Sequence, residues 1–134
     1  MNKMKKIVVI DKEAHSLSKI YFIADVRKYQ VITLSDYSQA SSVLKEEMPD
    51  ILVINCDLYK GDIAGFIASV KRISSHIRII GCSWRTAATF KRKGSPFILD
   101  AFIKLPMDVR KLSLALEAIE YDYAMFPLEM FSHP

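Results

Sequence analysis

The chemistry open to this chain depends on the polar residues at the end of the apolar run 51–54, where Asn55 and Asp57 stand close together before a glycine-containing loop. Polar residues also end three other short apolar runs: Asp11, Ser83 and Lys104. A carboxylate at such a place can attack a phosphoryl group. An amide cannot, because it carries no negative charge and no basic lone pair for the reaction. The first question is therefore whether Asn55 or Asp57 takes the place at which the chemistry would happen.

The spacing of the apolar residues predicts the elements that would position these side chains. Short apolar runs alternate with amphipathic helical stretches along the whole chain. We predict strands at 6–11, 30–34, 50–55, 76–83 and 96–103. We predict helices at 14–28, around 66–73 and at 86–93 before Gly94. We predict a further helix between a cap at Ser35 or Asp36 and Pro49, and a last helix after a cap at Asp108. Strict alternation of this kind favours a parallel sheet with right-handed crossovers.

Five strands in this arrangement predict an α/β domain of the flavodoxin-like type. The expected strand order is 2-1-3-4-5, with helices on both faces of the sheet. In such sheets the functional site lies outside the carboxyl ends of the strands. The polar residues that end the apolar runs would then meet at one edge of the sheet.

Length and composition set limits on the class of protein. At 134 residues the chain fits one domain, which we place at residues 1–121, with an aromatic-rich tail at 122–134. With 51% hydrophobic and 25% charged residues it has the composition of a globular protein. No apolar run approaches the roughly 20 residues of a membrane helix. Cys56 and Cys82 have no metal-ligand spacing. We expect a cytoplasmic protein with two buried, reduced thiols.

The net charge of +4 is unevenly distributed. No acid lies between Asp62 and Asp100, and this stretch holds seven basic residues: Lys71, Arg72, Arg78, Arg85, Lys91, Arg92 and Lys93. Such a block could face nucleic acid or an acidic partner. Alternatively, its cations lie near the carboxyl ends of helices, where they complement the helix dipole. We prefer the second interpretation.

Four segments together resemble the receiver domain of bacterial response regulators, the CheY-like family: IVVIDKE, PDILVINCD, GCS and FIKLP. The resemblance covers about residues 5–121. It implies a domain that takes phosphate from a histidine kinase onto an aspartate at the end of the third strand. It also implies two acids after the first strand that bind Mg²⁺. A hydroxyl after the fourth strand and a lysine after the fifth would contact the phosphoryl group.

Only part of this set is present in the chain. Asp11 matches the first acid, whereas Lys12 stands in place of the second and Glu13 comes next, at the turn. Ser83 matches the hydroxyl position. Lys104 is the candidate for the second phosphoryl contact, although it lies one residue earlier than the family's lysine.

Two registers compete for the phosphoacceptor position. Counting forward from Pro49 places Asn55 there, whereas counting back from Gly65 places Asp57 there. The two differ by a two-residue insertion on one or the other side of the strand end. We prefer Asn55, because residues 51–54 make a normal strand core, and we keep Asp57 as the alternative.

These departures indicate a degenerate receiver. We expect the ammonium of Lys12 to pair with Asp11 or Asp57 and to replace the charge of the metal ion. We predict no catalytic residue, no enzymatic activity and no bound metal. If Asp57 is instead a working acceptor, Mg²⁺ would be the cofactor, with Asp11 and Asp57 as its ligands.

The predicted function is that of a receiver-like signalling module that acts by protein–protein interaction without phosphorylation. We expect a signalling protein as partner, either a histidine kinase or an output protein, and no membrane association. Trp84 and Arg85 are the candidate partner surface, although Trp84 could instead cover the short fourth helix. The tail would fold back on the domain, bind a partner or form a homodimer. The alternatives are a receiver phosphorylated on Asp57 and an adaptor that binds nucleic acid through the basic block.

Overall fold

Five parallel strands form one sheet in the computed structural model, which describes residues 4–90 and 98–121. The strands are β1 (Lys6–Ile10), β2 (Gln30–Leu34), β3 (Ile51–Asn55), β4 (Arg78–Ser83) and β5 (Ala101–Lys104). Their order is β2-β1-β3-β4-β5, and each neighbouring pair is parallel. The predicted flavodoxin-like sheet is therefore confirmed.

Helices cover both faces of this sheet. The described residues form α1 (Ala14–Arg27), α2 (Ala40–Glu47), α3 (Ile63–Ile73) and α4 (Val109–Glu120). Side chains of α1 and α4, such as Ile20 and Leu112, belong to the apolar cluster on one face. Leu44 of α2 and Val70 of α3 belong to the cluster on the other. The sheet is thus the middle layer of three.

The central strands show why the apolar runs are continuous. Ile7 and Val9 of β1 lie in the cluster beneath α1 and α4, whereas Val8 and Ile10 lie in the cluster beneath α2 and α3. All four side chains are at most 2% exposed. A strand that is covered on both faces needs an apolar side chain at every position. The polar residues are consequently displaced to the strand ends, which is where the candidate site lies.

The connection between β4 and β5 differs from the prediction. In place of a helix at 86–93, Ala87–Phe90 form a 3-10 turn, and residues 91–97 lie outside the described part of the chain. β5 begins at Ala101 and not at residue 96. The carboxylate of Asp100 accepts the backbone N–H of Ile79 at 2.7 Å. The side chain of Asp100 therefore accepts the N–H of Ile79, which a backbone carbonyl of a longer β5 would otherwise have accepted.

Two predicted helix caps have different outcomes. Asp108 caps α4, since its carboxylate accepts the backbone N–H of Lys111 at 2.7 Å. The predicted cap at Ser35 or Asp36 is wrong, because α2 begins only at Ala40. Asp36 instead accepts the hydroxyl of Ser38 at 2.6 Å and its backbone N–H at 2.9 Å. These hydrogen bonds, the hydroxyl first, lower the pKa of the Asp36 carboxyl and hold a turn ahead of the helix.

None of the described helices is long and apolar enough to cross a membrane. The predicted tail at residues 122–134 lies outside the described part of the chain.

Candidate functional site

Asn55 occupies the last position of β3, at the carboxyl edge of the sheet. It lies opposite Cys82 of β4 and is 4% exposed. Its amide nitrogen donates to Oδ1 of Asp11 at 3.2 Å, and its amide oxygen accepts the backbone N–H of Asp57 at 3.0 Å. The second bond caps a 3-10 turn at Cys56–Leu58. Both the nitrogen and the oxygen of the buried amide therefore have a hydrogen-bond partner at the end of the strand.

Asp11 lies immediately after β1 and is also 4% exposed. Its Oδ1 accepts three hydrogen bonds, from the backbone N–H of Lys12 at 2.7 Å, that of Glu13 at 3.0 Å and the amide of Asn55. Neutral donors thus stabilise the buried carboxylate, and two of them come from the turn that leads into α1.

Lys12 and Glu13 contribute backbone and not side chains to this site. Both residues are exposed. Among residues 4–90 and 98–121, the ammonium of Lys12 forms no ion pair with Asp11 or Asp57, so the predicted lysine bridge is wrong. The physical reason is that Asp11 already has three neutral donors, which spares the cost of desolvating an ammonium. The positive charge of Lys12 instead helps to lower the pKa of exposed Asp36.

Asp57 lies in the 3-10 turn, and its side chain is 28% exposed. One carboxylate oxygen, Oδ1, accepts the hydroxyl of Ser83 at 2.6 Å and lies 3.4 Å from Nε of Arg85. The other, Oδ2, accepts the backbone N–H of Trp84 at 2.9 Å. Asp57 lies two residues beyond Asn55, and its carboxylate therefore contacts the end of β4 and not Asp11.

Ser83 and Lys104 end β4 and β5 and lie opposite each other in the sheet register. Ser83 is fully buried. The ammonium of Lys104 donates to the backbone carbonyl of Trp84 at 3.1 Å. Both candidate phosphoryl contacts thus reach the same loop, but Lys104 binds the peptide of Trp84 and not the carboxylate of Asp57.

Trp84 and Arg85 protrude from this loop. Trp84 is 55% exposed and the side chain of Arg85 is 53% exposed. The guanidinium carbon of Arg85 lies 4.9 Å from the ring centroid of Phe90, within the range of a cation–π contact. More than half of Trp84 faces solvent, and residues 91–93 of the helix predicted at 86–93 lie outside the described part of the chain, so both interpretations of Trp84 stay predictions.

One residue of the site, Tyr37, is not predicted by the sequence patterns. Tyr37 lies in the connection between β2 and α2, and its hydroxyl donates to the backbone carbonyl of Asn55 at 2.7 Å. Its ring packs edge-on against Tyr59 and Phe66, each at 4.9 Å between centroids. Burial raises the pKa of the Tyr37 hydroxyl above its ordinary value. Tyr37 precedes β3 whereas Tyr59 and Phe66 follow it, so no local pattern reveals that the three rings meet.

The two cysteines are buried and unpaired, as predicted. Burial raises the pKa of the Cys56 thiol to about 12, and it raises the pKa of Cys82 well above its ordinary value. Such thiols are poor nucleophiles at neutral pH. Both thiols pack in the apolar clusters behind the site.

The side chains at this edge are a poor match to Mg²⁺, the cofactor that the resemblance implies. Within the described ranges, no three His, Cys, Asp or Glu side chains come close enough together to hold a metal ion. Mg²⁺ needs several hard oxygens in near-octahedral array. Asp11 has a neutral amide as its neighbour in β3, and the carboxylate of Asp57 faces β4 instead. The residues do not fit the metal.

Comparison of the sequence with known proteins gives distant relatives. No family model matches the chain. It is 23% identical over 117 residues to the phosphate regulon transcriptional regulatory protein PhoB of Escherichia coli, and equally to that of Klebsiella pneumoniae. The match covers 86% of this chain and 51% of each relative. The chain therefore spans about half the length of the curated relatives that it matches.

Comparison with solved structures finds proteins of the same architecture. The chemotaxis response regulator CheY4 of Vibrio cholerae superposes with a TM-score of 0.72 at 16% identity, over 87% of this chain and 99% of that one. A response regulator receiver domain protein of Clostridium thermocellum gives 0.70 at 20% identity, over 89% and 96%. The response regulator RcsB of Salmonella typhimurium gives 0.75 at 16% identity, over 95% of this chain and 64% of that one. The sheet order, the polar strand ends and these likenesses together show that the chain has the fold of the CheY-like receiver domains of response regulators.

Proposed function

We propose that this chain is a receiver-like signalling module of two-component systems that acts by protein–protein interaction without being phosphorylated. The observation that carries the proposal is Asn55, a buried amide at the end of β3 whose nitrogen is bonded to Asp11. In the register counted from Pro49, which we prefer, this is the place of a receiver's acceptor aspartate. An amide there cannot attack a phosphoryl group, so the fold would serve as a fixed surface and not as a phosphorylated switch.

The absence of metal chemistry is part of the same proposal. A phosphoryl transfer to a carboxylate requires a cation that neutralises charge on both reactants. Asp11 is stabilised by neutral donors, and the neighbouring acid of the family is replaced by Lys12, whose side chain is exposed. We accordingly propose that the module works without Mg²⁺ and has no enzymatic activity of its own.

A second candidate function is a receiver that is phosphorylated on Asp57. The observation in its favour is that Asp57 is partly exposed and bonded to the hydroxyl of Ser83. Against it, both carboxylate oxygens already accept hydrogen bonds or face Arg85, which lowers their nucleophilicity. The candidate is therefore weaker than the first.

Intact mass after incubation with acetyl phosphate and Mg²⁺ separates these two functions. We expect no gain of a phosphoryl group in the unaltered protein. Asp57→Asn removes the alternative acceptor, and Asp62→Asn is the matched control, since Asp62 caps α3 at a different place. A phosphoryl gain that persists in Asp62→Asn and disappears in Asp57→Asn would overturn the proposal and identify Asp57 as the acceptor.

The partner surface is proposed at Trp84 and Arg85, the exposed residues that protrude from the site. Tryptophan and arginine are the side chains that most often anchor protein interfaces. A signalling protein, either a histidine kinase or an output protein, is the expected partner. A homodimer through this surface is the alternative. Sedimentation of the unaltered protein and of Trp84→Ala tests it, since only a dimer that uses Trp84 would dissociate in the variant.

The third candidate, a nucleic-acid-binding adaptor, rests on the basic block and is weaker. The ammonium of Lys71 lies 3.1 Å from Oδ2 of Asp100, and Nε of Arg78 lies 3.3 Å from its Oδ1. One carboxylate thus offsets two cations of the block. Residues 91–93 lie outside the described part of the chain. Binding to generic duplex DNA that weakens steeply with salt would restore this candidate, and we expect none at physiological salt.

A further inference from the structure

A groove lies between α2 and α3, the two helices that cover one face of the sheet. Glu47, at the end of α2, contacts Lys6 at the start of β1, with 3.0 Å between the charged atoms. Lys71, in the last turn of α3, contacts Asp100 just before β5 at 3.1 Å. Both helices therefore end at the amino edge of the sheet, whereas Asn55 lies at its carboxyl edge.

The groove combines charged, hydroxyl and apolar side chains in a volume of about 480 Å³. On each side the lining residues follow the spacing of one helical stripe. They are Ser41, Lys45 and Met48 on the side of α2, and Ser69, Arg72 and Ile73 on the side of α3. No acid of the described residues is among them. A cleft of this size can bury a ligand's apolar side chains between polar groups.

Lys45 and Arg72 place one positive charge on each side of the groove. Both residues are exposed, and within the described ranges neither forms an ion pair. Each lies in the last turn of its helix, where a cation complements the helix dipole. The dipole accounts for the sign of each charge, but not for their placement over a shared apolar groove. That placement favours an acidic ligand.

Met48 adds an exposed apolar side chain in an unusual backbone conformation. It is 52% exposed, and its φ of 45° lies in the left-handed region. Glycine or asparagine is the usual residue at such a helix end, because a Cβ atom disfavours this conformation. Lys28, which ends α1 with a φ of 60°, has a charged side chain that suits solvent. An exposed methionine suits a surface that a partner covers.

We propose that the groove between α2 and α3 docks an acidic segment of a partner protein. An apolar side chain of that segment packs between Met48 and Ile73, and its carboxylates pair with Lys45 and Arg72. Nucleic acid fits the groove less well, because phosphates make no use of apolar walls.

This surface is separate from the one proposed at Trp84 and Arg85. Trp84 follows β4 at the carboxyl edge of the sheet, whereas α2 and α3 end at the amino edge. The inference therefore goes beyond the proposed function, and it holds whether or not Asp57 takes a phosphoryl group. A chain with a partner surface at each edge can hold two proteins at once.

Fluorescence anisotropy with a labelled synthetic peptide tests the groove. The peptide repeats Leu-Glu-Ala-Glu three times, so that leucines at helical spacing alternate with carboxylates. We expect saturable binding to the unaltered protein at low salt. Lys45→Glu/Arg72→Glu should bind at least about tenfold more weakly, because both attractions become repulsions. Met48→Asn should bind at least about threefold more weakly, since asparagine tolerates the left-handed backbone and removes the apolar contact.

Lys28→Glu/Arg110→Glu is the matched control, since it reverses two exposed charges on α1 and α4, which cover the other face of the sheet. It should change the affinity by less than about twofold. Trp84→Ala should bind the peptide as the unaltered protein does. A second peptide, with serine in place of leucine, separates docking from charge alone, and we expect it to bind at least about tenfold more weakly.

The inference is overturned if the first peptide gives no saturable binding or if the serine peptide binds equally. It is also overturned if the control charge reversal or Trp84→Ala weakens binding as much as Lys45→Glu/Arg72→Glu. Should that variant fail to fold, Lys45→Gln/Arg72→Gln is judged by the same criteria.

Two further results would assign the groove to a different ligand and would also overturn the inference. Duplex DNA that displaces the labelled peptide as well as unlabelled peptide does would identify nucleic acid. A dimer that dissociates in Lys45→Glu/Arg72→Glu on sedimentation would identify a second copy of the chain. A phosphoryl gain in the mass assay would contradict only the proposed function.

Discussion

The two halves of the site make opposite uses of a carboxylate. In the inner half, formed by Asp11 and Asn55, the carboxylate is buried and accepts hydrogen bonds from three neutral donors. In the outer half, formed by Asp57, Ser83 and Arg85, the carboxylate is partly exposed and faces a cation. Water and Arg85 can stabilise charge in the outer half, but the inner half has only fixed dipoles. An amide at Asn55 therefore lets one buried charge remain beside the strand end without a metal ion.

Asn55→Asp should give the largest effect, because it brings a second carboxylate against Asp11 in the inner half. We expect a loss of about 3 kcal/mol in the free energy of unfolding at about pH 7. Repulsion and burial would raise a pKa of the coupled pair in the folded state. The loss should therefore be absent below about pH 4, the ordinary carboxyl range, and should grow as the pH rises through the raised value.

Urea unfolding over this pH range measures the effect of Asn55→Asp. Gln39→Glu is the matched control, since it makes the same amide-to-acid change at an exposed position. A stability of Asn55→Asp equal to that of the control across the whole pH range would mean that the inner half tolerates a second charge. The contrast between the halves would then be lost.

Gly81→Ala should have the next largest effect, because it tests how closely β4 packs behind the outer half. Gly81 lies opposite Ile54, and a Cβ atom on it would come 2.5 Å from Cδ1 of Leu99 and 3.2 Å from Sγ of Cys56. We expect a loss of about 1–3 kcal/mol, because buried Leu99 must move. Gly65→Ala is the control, since no atom lies within 4 Å of its Cβ position in α3. It should gain about 0.5–1 kcal/mol, and thermal unfolding that showed equal shifts would refute the tight packing.

Ser83→Ala should cost less, because it removes one hydroxyl from the outer half. The variant loses the bond to Asp57 at 2.6 Å and leaves the N–H of Arg85 without its acceptor at 2.9 Å. We expect about 1–2 kcal/mol by urea unfolding. Ser42→Ala removes an exposed hydroxyl that donates to the carbonyl of Gln39, and it should change stability by no more than about 0.5 kcal/mol. Equal losses in the two variants would show that Ser83 has no special place in the site.

Arg85→Gln should have the smallest effect, because the pair with Asp57 is largely solvated. Arg85 and Arg27 each approach a carboxylate at 3.4 Å, with Glu120 as the partner of Arg27. We expect each Gln variant to lose at most about 1 kcal/mol in low salt, and less in high salt. Arg85→Gln should lose slightly more than Arg27→Gln, because it also gives up the contact with Phe90. The opposite order would indicate that Arg85 adds nothing to the outer half beyond a surface charge.

The sequence by itself determined the architecture of this protein. Alternating strand and helix periods predict a parallel sheet, because burial on one or both faces imposes a period on every element. The order 2-1-3-4-5 is then expected from the flavodoxin-like type of five-stranded sheet. The cap at Asp108 could also be predicted, since the side chain and the N–H that it bonds lie only three residues apart. The buried thiols and the strand-end positions of Asp11, Asn55 and Ser83 arise from the same local patterns.

Only the tertiary structure decided which polar groups meet. The carboxylate of Asp57 could have turned toward Asp11 or Ser83, and it takes Ser83, which lies 26 residues away. Lys12 could have bridged the acids, but three neutral donors already hold Asp11. Asp100 pairs with Lys71 across 29 residues and thereby offsets part of the basic block. A periodic pattern reports how each residue is buried, whereas these contacts depend on the path of the turns and on competition among donors from different strands.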